Sequence, residues 1–436
     1  MQTGFDAIIM GAGPAGSTAA ILLARAGWKV ALVEKRRFPR RKVCGECIAA
    51  SNLPLLDALG IGAQFDISAG PALRRVALMQ GDRSVVADMP PAGDARHAWG
   101  RALGRETLDT LLLAQAGSAG AVVLQPWAVQ SFGGPAGNHR CEVKVVDSAH
   151  SMTLRAPVLI AAHGSWEALP SNRAARHLDR RASDLFAFQA NFSGASLAEG
   201  LLPVLSFDGG YGGMVVGDNG ILTLACCIRR DRLDACRRAA PGTRAGEAVE
   251  AMLRRQCHGV AEALAEARPA GVWLAAGPIA PGIRLRPDES FFRIGNAAGE
   301  AHPIIGEGLS MAIQSAWLLC EQLLPQVGQS ADKSQAAGEP GVGERYAAEW
   351  RRQFTPRLRL AAAFAHLAMR PGLASPLLAL LGRWPSLLTE AARWGGKARC
   401  ALSTATIAWL AAGAGSPRPQ SLRQTPQQAR LEKPAR

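Results

Sequence analysis

Residues 5–34 constrain this chain more than any other segment. An apolar run (DAIIM) meets the glycine-rich GAGPAG of residues 11–16, followed by a helical stretch (STAAILLARAG) and a second apolar run (KVALVE). Strand, tight turn, helix and strand in that order make a βαβ unit, and Gly27 sits where its helix should stop. Within the turn, Gly11 allows the bend and Gly13 lets a phosphate approach the backbone. Gly16 lets the helix pack on the strand, and Pro14 and Ala15 complete the loop. Glu34 ends the second strand 18 residues past Gly16, where its carboxylate can accept both hydroxyls of an adenosine ribose. An acid there disfavours a 2′-phosphate, so the motif calls for FAD or NAD and not NADP.

The rest of the chain extends this frame. ALGRETLDTLLLAQAGSAG reads as a helix through Leu108, Leu111, Leu112 and Ala116, and AVVLQPWAVQSF, CEVKVV and PVLIAAHG read as strands, two of them in a β-ribbon. LFAFQANF, LPVLSF, GGMVVG and ILTLACCIR, between glycine turns, suggest a separate antiparallel sheet. TRAGEAVEAMLRRQCHGVAEALAEA reads as one helix. After the strand FFRIG, Leu309, Ile313, Ala316, Cys320 and Leu324 form one apolar helical stripe. The fold expected is α/β: a doubly wound Rossmann-type nucleotide-binding domain with an inserted antiparallel substrate sheet and a C-terminal helical region. Its divisions are 1–180 and 276–325 for the discontinuous nucleotide domain and 181–275 for the substrate domain. A flexible insertion at 326–343, a helical cap at 344–412 and a disordered basic tail at 413–436 complete it.

Charge narrows the partners. The net +14 comes from 49 Lys and Arg against 35 Asp and Glu, and much of it is local: residues 35–42 (KRRFPRRK) carry six bases and no acid. That loop, starting at Lys35, suits the phosphates of a dinucleotide. No aromatic-interleaved basic patch or zinc knuckle accompanies the charge, which argues against nucleic acid. No apolar run reaches membrane-spanning length and no signal core precedes the first strand, so a cytoplasmic location is expected. SPLLALLGRWPSLLTEAARW and ALSTATIAWLAAGAG are apolar enough to rest on a bilayer or to cover a lipophilic pocket, and packing against the body of the protein is the first reading for both. The nine cysteines lack scaffold spacing and are expected reduced, and no metal ligand set is evident.

A second motif, GNAAGEAHPIIGEGL at residues 295–309, follows a strand and precedes the long helix. Together with GAGPAG and Glu34, and with GRETLD carrying Arg105, it resembles the FAD-dependent oxidoreductases that include aromatic hydroxylases, geranylgeranyl reductases and flavin-dependent halogenases. The resemblance covers residues 5–325 and implies FAD as cofactor. It places Asn296, beside Gly295, on the ribityl chain, and the Gly306-Glu307-Gly308-Leu309 turn at the pyrimidine edge of the flavin. It adds Cys44, Gly45, Arg105 and Val129 to the cofactor contacts. A helix starting near Gly308 would direct its positive end at the ring.

Within that family Cys44-Gly45-Glu46 and Tyr211-Gly212 resemble the geranylgeranyl reductase branch. Tyr211, His302 and Pro303 are the candidate substrate-pocket residues, and no catalytic residue is assigned. The chain also departs from the pattern. Asn296 and His163 stand where Asp is usual, and the loss at 163 argues against direct reduction by bound NADPH. Gly213 replaces a frequent Trp, and the halogenase motif W-x-W-x-I-P is missing. Cys44 and Cys47 form a C-x-x-C that reads as ordinary thiols lining a loop, with a redox dithiol as the alternative. The resemblance implies a hydrophobic small-molecule substrate and an electron donor, either NAD(P)H or another reductant, with a reductase partner as one source. The first reading is a flavin monooxygenase acting on an aromatic or polyketide-like molecule. The second is a reductase of isolated C=C bonds in a prenyl chain; a halogenase and a nucleic-acid-binding flavoprotein without turnover rank below both.

Overall fold

The computed structural model describes residues 3–164, 180–286, 289–324, 341–396 and 400–413. The expected insertion (but for 341–343) and the expected tail (but for Gly413) lie outside the described residues.

Five parallel strands form the first sheet, in the spatial order Phe292–Arg293, Val158–Ala161, Ala7–Met10, Val30–Val33 and Val122–Leu124. Ile8 pairs with Ala31 on one side and with Leu159 on the other. The continuous apolar runs AIIM, VALV and VLIA are buried throughout because both faces of the sheet are covered. Alternate residues serve two cores. Ala7, Ile9, Leu32 and Ile160 face the helices Pro14–Arg25, Arg105–Ser118 and Gly308–Leu323, whereas Ile8, Met10, Val33 and Leu159 face a β-ribbon through Trp127, Cys141 and Leu154. That ribbon comprises Trp127–Gly133, His139–Val145 and Ser151–Ala156.

The second sheet contains Leu185–Ser193, Leu222–Arg229, Gly210–Val216 and Leu201–Phe207 in that order, all antiparallel. Four strands not foreseen in the sequence extend it: Arg268–Pro269 and Leu274–Ile279 pair with Leu185–Ser193, and two more lie at the other edge. Arg75–Gln80 pairs in parallel with Leu201–Phe207, and Arg83–Asp88 closes the edge as a hairpin. The sheet therefore draws on chain from both sides of the Arg105–Ser118 helix.

One face of this sheet, carrying Ala77, Leu205, Leu224 and Ile228, packs on the helices Ala245–Gln256 and His258–Ala263. These replace the single helix expected over this stretch. The break lies at Cys257, which is extended (φ −139°, ψ 107°), and the His258 N–H leaves the helical pattern to donate to Gly81 O. The other face carries Val76, Leu78, Leu202 and Val204 toward the interior of the molecule.

The C-terminal segment is helical: Val342–Ala368, Pro371–Arg383, Ser386–Trp394 and Thr404–Ala412. The first buries Tyr346, Trp350 and Phe354 in the same core as Gly308–Leu323. The next two lie across Arg75–Gln80 and Arg83–Asp88 and roof the space beneath them.

Candidate functional site

A cavity of about 500 Å³ runs between the two sheets. One end is formed by Gly11, Gly13, Pro14, Ala15, Glu34 and Arg40, and the middle by Cys44, Gly45, Arg105, Gly295, Asn296, Gly306, Gly308 and Leu309. The far end is apolar: Val76, Leu78, Leu202, Val204 and Tyr211 on the sheet face Ala374, Leu377, Leu381 and Leu388 from the roof.

The glycine loop shows why no other residue serves. Gly11 has φ +108°, and a Cβ there would stand 2.9 Å from Ala162 O. At Gly16 the clash is worse, 1.9 Å from Gly11 O, so loop and helix touch backbone to backbone. Gly13 differs: an added Cβ would meet only Arg40 Nη2, at 3.9 Å. The space before it is open, and no side chain caps the N-terminus of the Pro14–Arg25 helix. Glu34 is buried at the end of its strand, with Oε2 accepting from Ala12 N at 3.1 Å and Oε1 from Arg36 N at 2.8 Å. Arg40 lies 3.6 Å from Glu34 and 3.5 Å from Asp109. An open cradle, free helix amides, a buried carboxylate at ribose distance and a nearby guanidinium fit the adenosine and pyrophosphate half of FAD.

The second motif lines the middle of the cavity. Gly295 (φ +58°) donates its N–H to Ser315 Oγ at 2.8 Å, and Asn296 carbonyl O accepts from Arg284 at 2.7 Å, which sets the turn. Gly306 is left-handed (φ +62°), and the 16-residue helix Gly308–Leu323 starts at the cavity wall. The wall here combines backbone amides and apolar side chains with Cys44, Arg105 and Asn296, which suits the ring half of FAD.

Glu307, expected in the flavin turn, is not among the lining residues. It is fully buried behind the turn, with Oε2 3.3 Å from Arg357 Nη1 on the Val342–Ala368 helix. Gly16, Lys35, Val129 and His302 also do not line the cavity. Gly16 is occupied by helix packing, Lys35 follows Glu34 away from the cleft, and Val129 packs in the ribbon core.

Arg105 is buried and chelated by Asp109, Nε to Oδ1 at 2.8 Å and Nη2 to Oδ2 at 2.6 Å. Its N–H donates to Glu46 Oε1 at 3.1 Å, and Glu46 Oε2 accepts from Thr223 at 2.6 Å. Glu46 has φ +56°, rare for a residue with a Cβ, and burial pushes its carboxyl above the ordinary range. Cys44 Sγ accepts from Glu46 N at 3.3 Å, and burial raises its thiol pKa, which keeps it protonated near neutrality. Neither Cys44 nor Cys47 is in a disulfide.

Deeper in, the Tyr211 hydroxyl lies 3.1 Å from His302 Nδ1, and the His302 ring meets His366 edge-on at 5.8 Å between centroids. Burial, and then the neighbouring His366, bring the His302 pKa down to about 4, so its ring is neutral at pH 7. Burial also holds Tyr211 well above its ordinary value, so the phenol keeps its proton. Pro303 lines the cavity beside this pair and His163 lines it near the glycine loop. Sequence reasoning missed Arg40 and Lys42 as individual lining residues and the lining strand Arg75–Gln80, and it read the segment that forms the roof at 374–392 only as one that could cover a lipophilic pocket. The basic run and the apolar C-terminal segments were the signals available for two of these.

The family model described as FAD binding domain matches residues 4–336. Among curated proteins, the menaquinone reductase of Mycolicibacterium smegmatis is 32% identical over 124 residues, 28% of this chain and 29% of that protein. The matched segments span less than a third of the first curated relatives' own length. Among solved structures, the myxobacterial chondrochloren halogenase CndH superposes with a TM-score of 0.71 at 17% identity, over 94% of this chain and 96% of that one. PqsL of Pseudomonas aeruginosa, described as "a probable FAD-dependent monooxygenase", superposes with a TM-score of 0.63 at 18% identity, over 90% of this chain and 99% of that one. The geranylgeranyl reductase branch expected from Cys44-Gly45-Glu46 and Tyr211 is not favoured, because a halogenase and a monooxygenase stand among the curated relatives beside the menaquinone reductase.

Proposed function

The chain belongs to the FAD binding domain family, and from that premise we propose that it is an FAD-dependent monooxygenase acting on a hydrophobic aromatic or polyketide-like small molecule. One observation carries this reading: a single cavity leads from the glycine cradle and the Asn296–Leu309 turn into an apolar chamber roofed by Leu377, Leu381 and Leu388. FAD, when bound, supplies two-electron transfer and reaction with O₂.

The chain's own residues bind, orient and exclude water. Gly11, Gly13 and Glu34 hold the adenosine end, and Arg40 balances phosphate charge. Arg105 is pinned by Asp109 and Glu46 and so braces the loop Cys44–Gly45 against the ring half. In the chamber, aliphatic walls keep the site dry, and the Tyr211 hydroxyl orients a polar substituent of the substrate. His302, being neutral, holds that hydroxyl through its Nδ1 when its ring hydrogen is on Nε2. Electrons come from NAD(P)H or from a reductase partner.

The test is turnover of lipophilic phenols and polyketide aromatics under ¹⁸O₂ with an excess of reductant. A product carrying one labelled oxygen atom supports the assignment. A halogenated product in bromide, or a product that gains two hydrogens and no label, would replace it with halogenation or C=C reduction.

A further inference from the structure

The roof of the cavity has a second side. Among the described residues, eleven large apolar side chains are exposed; six are scattered, and five (Leu373, Leu380, Trp384, Leu387 and Trp394) fall within 24 consecutive residues. Leu373 and Leu380 are two helical turns apart and so share a stripe, while Ala374, Leu378 and Leu381 of the same helix are buried. Trp384 and Trp394 are 51% and 71% exposed. A soluble surface seldom gathers such groups without a partner.

We propose that Pro371–Arg383 and Ser386–Trp394 dock the protein on an anionic lipid surface, and that lipophilic substrate enters the cavity from there. Charge selects this occupant. Residues 370–396 carry Arg370, Arg383 and Arg393 against one acid, Glu390, for a net charge of +2. All three arginines are exposed, Arg370 and Arg383 at the two ends of the first helix and Arg393 beside Trp394. Aliphatic side chains flanked by Trp and Arg suit the boundary between acyl chains and anionic headgroups.

Length agrees. Thirteen residues give a helix of roughly 20 Å, too short to cross a bilayer but able to lie in its surface. No single helix among the described residues is long and apolar enough to span one.

Leu387 connects surface to site, because it lines the cavity and is also 44% exposed. A mouth at Leu387 would open beside the apolar face and let a molecule dissolved in lipid reach the chamber without crossing water. This entry route rests on the apolar-substrate reading above; the docking does not.

The experiment uses the full-length holoprotein and sedimentation with phosphatidylcholine vesicles, with and without phosphatidylglycerol. Binding is expected only with phosphatidylglycerol, weakening with salt. The pair Trp384→Glu and Trp394→Glu should weaken it by about tenfold or more, with flavin absorbance retained because both side chains are exposed. Brominated lipids should quench tryptophan fluorescence of the unsubstituted protein, a readout that needs no variant. Failure to bind anionic vesicles, or binding that the Trp pair leaves unchanged, would overturn the proposal. So would an unsubstituted protein that is dimeric and becomes monomeric in the Trp pair, since a second copy would then cover the face. An unsubstituted protein that does not bind anionic vesicles but keeps its labelled-oxygen turnover would refute the docking alone.

Discussion

Removing the Arg357 guanidinium takes the ion-pair partner from a buried carboxylate, and the cost can be worked out. Glu307 is fully buried and Arg357 is 7% exposed, with 3.3 Å between Oε2 and Nη1. In Arg357→Met, Glu307 either stays charged in a dry site, at several kcal/mol, or takes up a proton. Proton uptake sets the ceiling. An ordinary glutamate titrates near 4.3 and each pH unit is worth about 1.36 kcal/mol, so the penalty is about 3.7 kcal/mol at pH 7 and about 1 kcal/mol at pH 5. The sign follows from linkage: the folded variant binds a proton the unfolded chain does not, so relative to the parent it gains stability as pH falls. Urea unfolding followed by flavin fluorescence at both pH values measures the difference, and adding Glu307→Gln to Arg357→Met should restore most of the loss at pH 7. A penalty equal at both pH values, or no rescue by Gln, would refute the idea that Arg357 neutralises Glu307 behind the flavin turn.

Three further outcomes are expected. Gly13→Val should give a folded protein without flavin absorbance, because its Cβ enters open cradle space; Gly16→Val should also lose about 3 kcal/mol or more of stability through its backbone clash. Glu34→Gln should weaken FAD binding by roughly 10- to 100-fold in equilibrium dialysis, the loss of a charge-assisted pair of hydrogen bonds. His302, held down to about 4, contributes stability that is present above its unfolded value of about 6.5 and declines as pH falls toward 4. His302→Gln should therefore flatten the urea midpoint between pH 7 and pH 4, and an unchanged slope would place that pH dependence elsewhere.

Much of the candidate cofactor end could be read in one dimension because its demands are local. GAGPAG works through the backbone angles of Gly11 and a clearance between Gly11 and Gly16, five residues apart, and the buried strands AIIM and VALV carry their two-faced environment in composition. The Gly308–Leu323 helix likewise followed from its apolar stripe. Other features depended on partners far along the chain. Glu307 looked like a ring contact until the structure placed Arg357, 50 residues later, behind it, and the Tyr211–His302 pair joins residues 91 apart. The break at Cys257 depends on a hydrogen bond to Gly81, which no helical periodicity signals.

What the sequence alone determined was therefore the class of fold, the cofactor and the short-range geometry of the glycine loop. The tertiary structure alone decided which apolar segments share a cavity: the strand Arg75–Gln80, the inserted sheet and the helices at 371–394 converge on one chamber. Hydrophobicity drives burial but has no direction, so a run of leucines states that it will be covered and not by what. Direction comes only when strand register and helix packing choose the neighbours, and here that choice left one side of the roof facing the chamber and the other facing solvent.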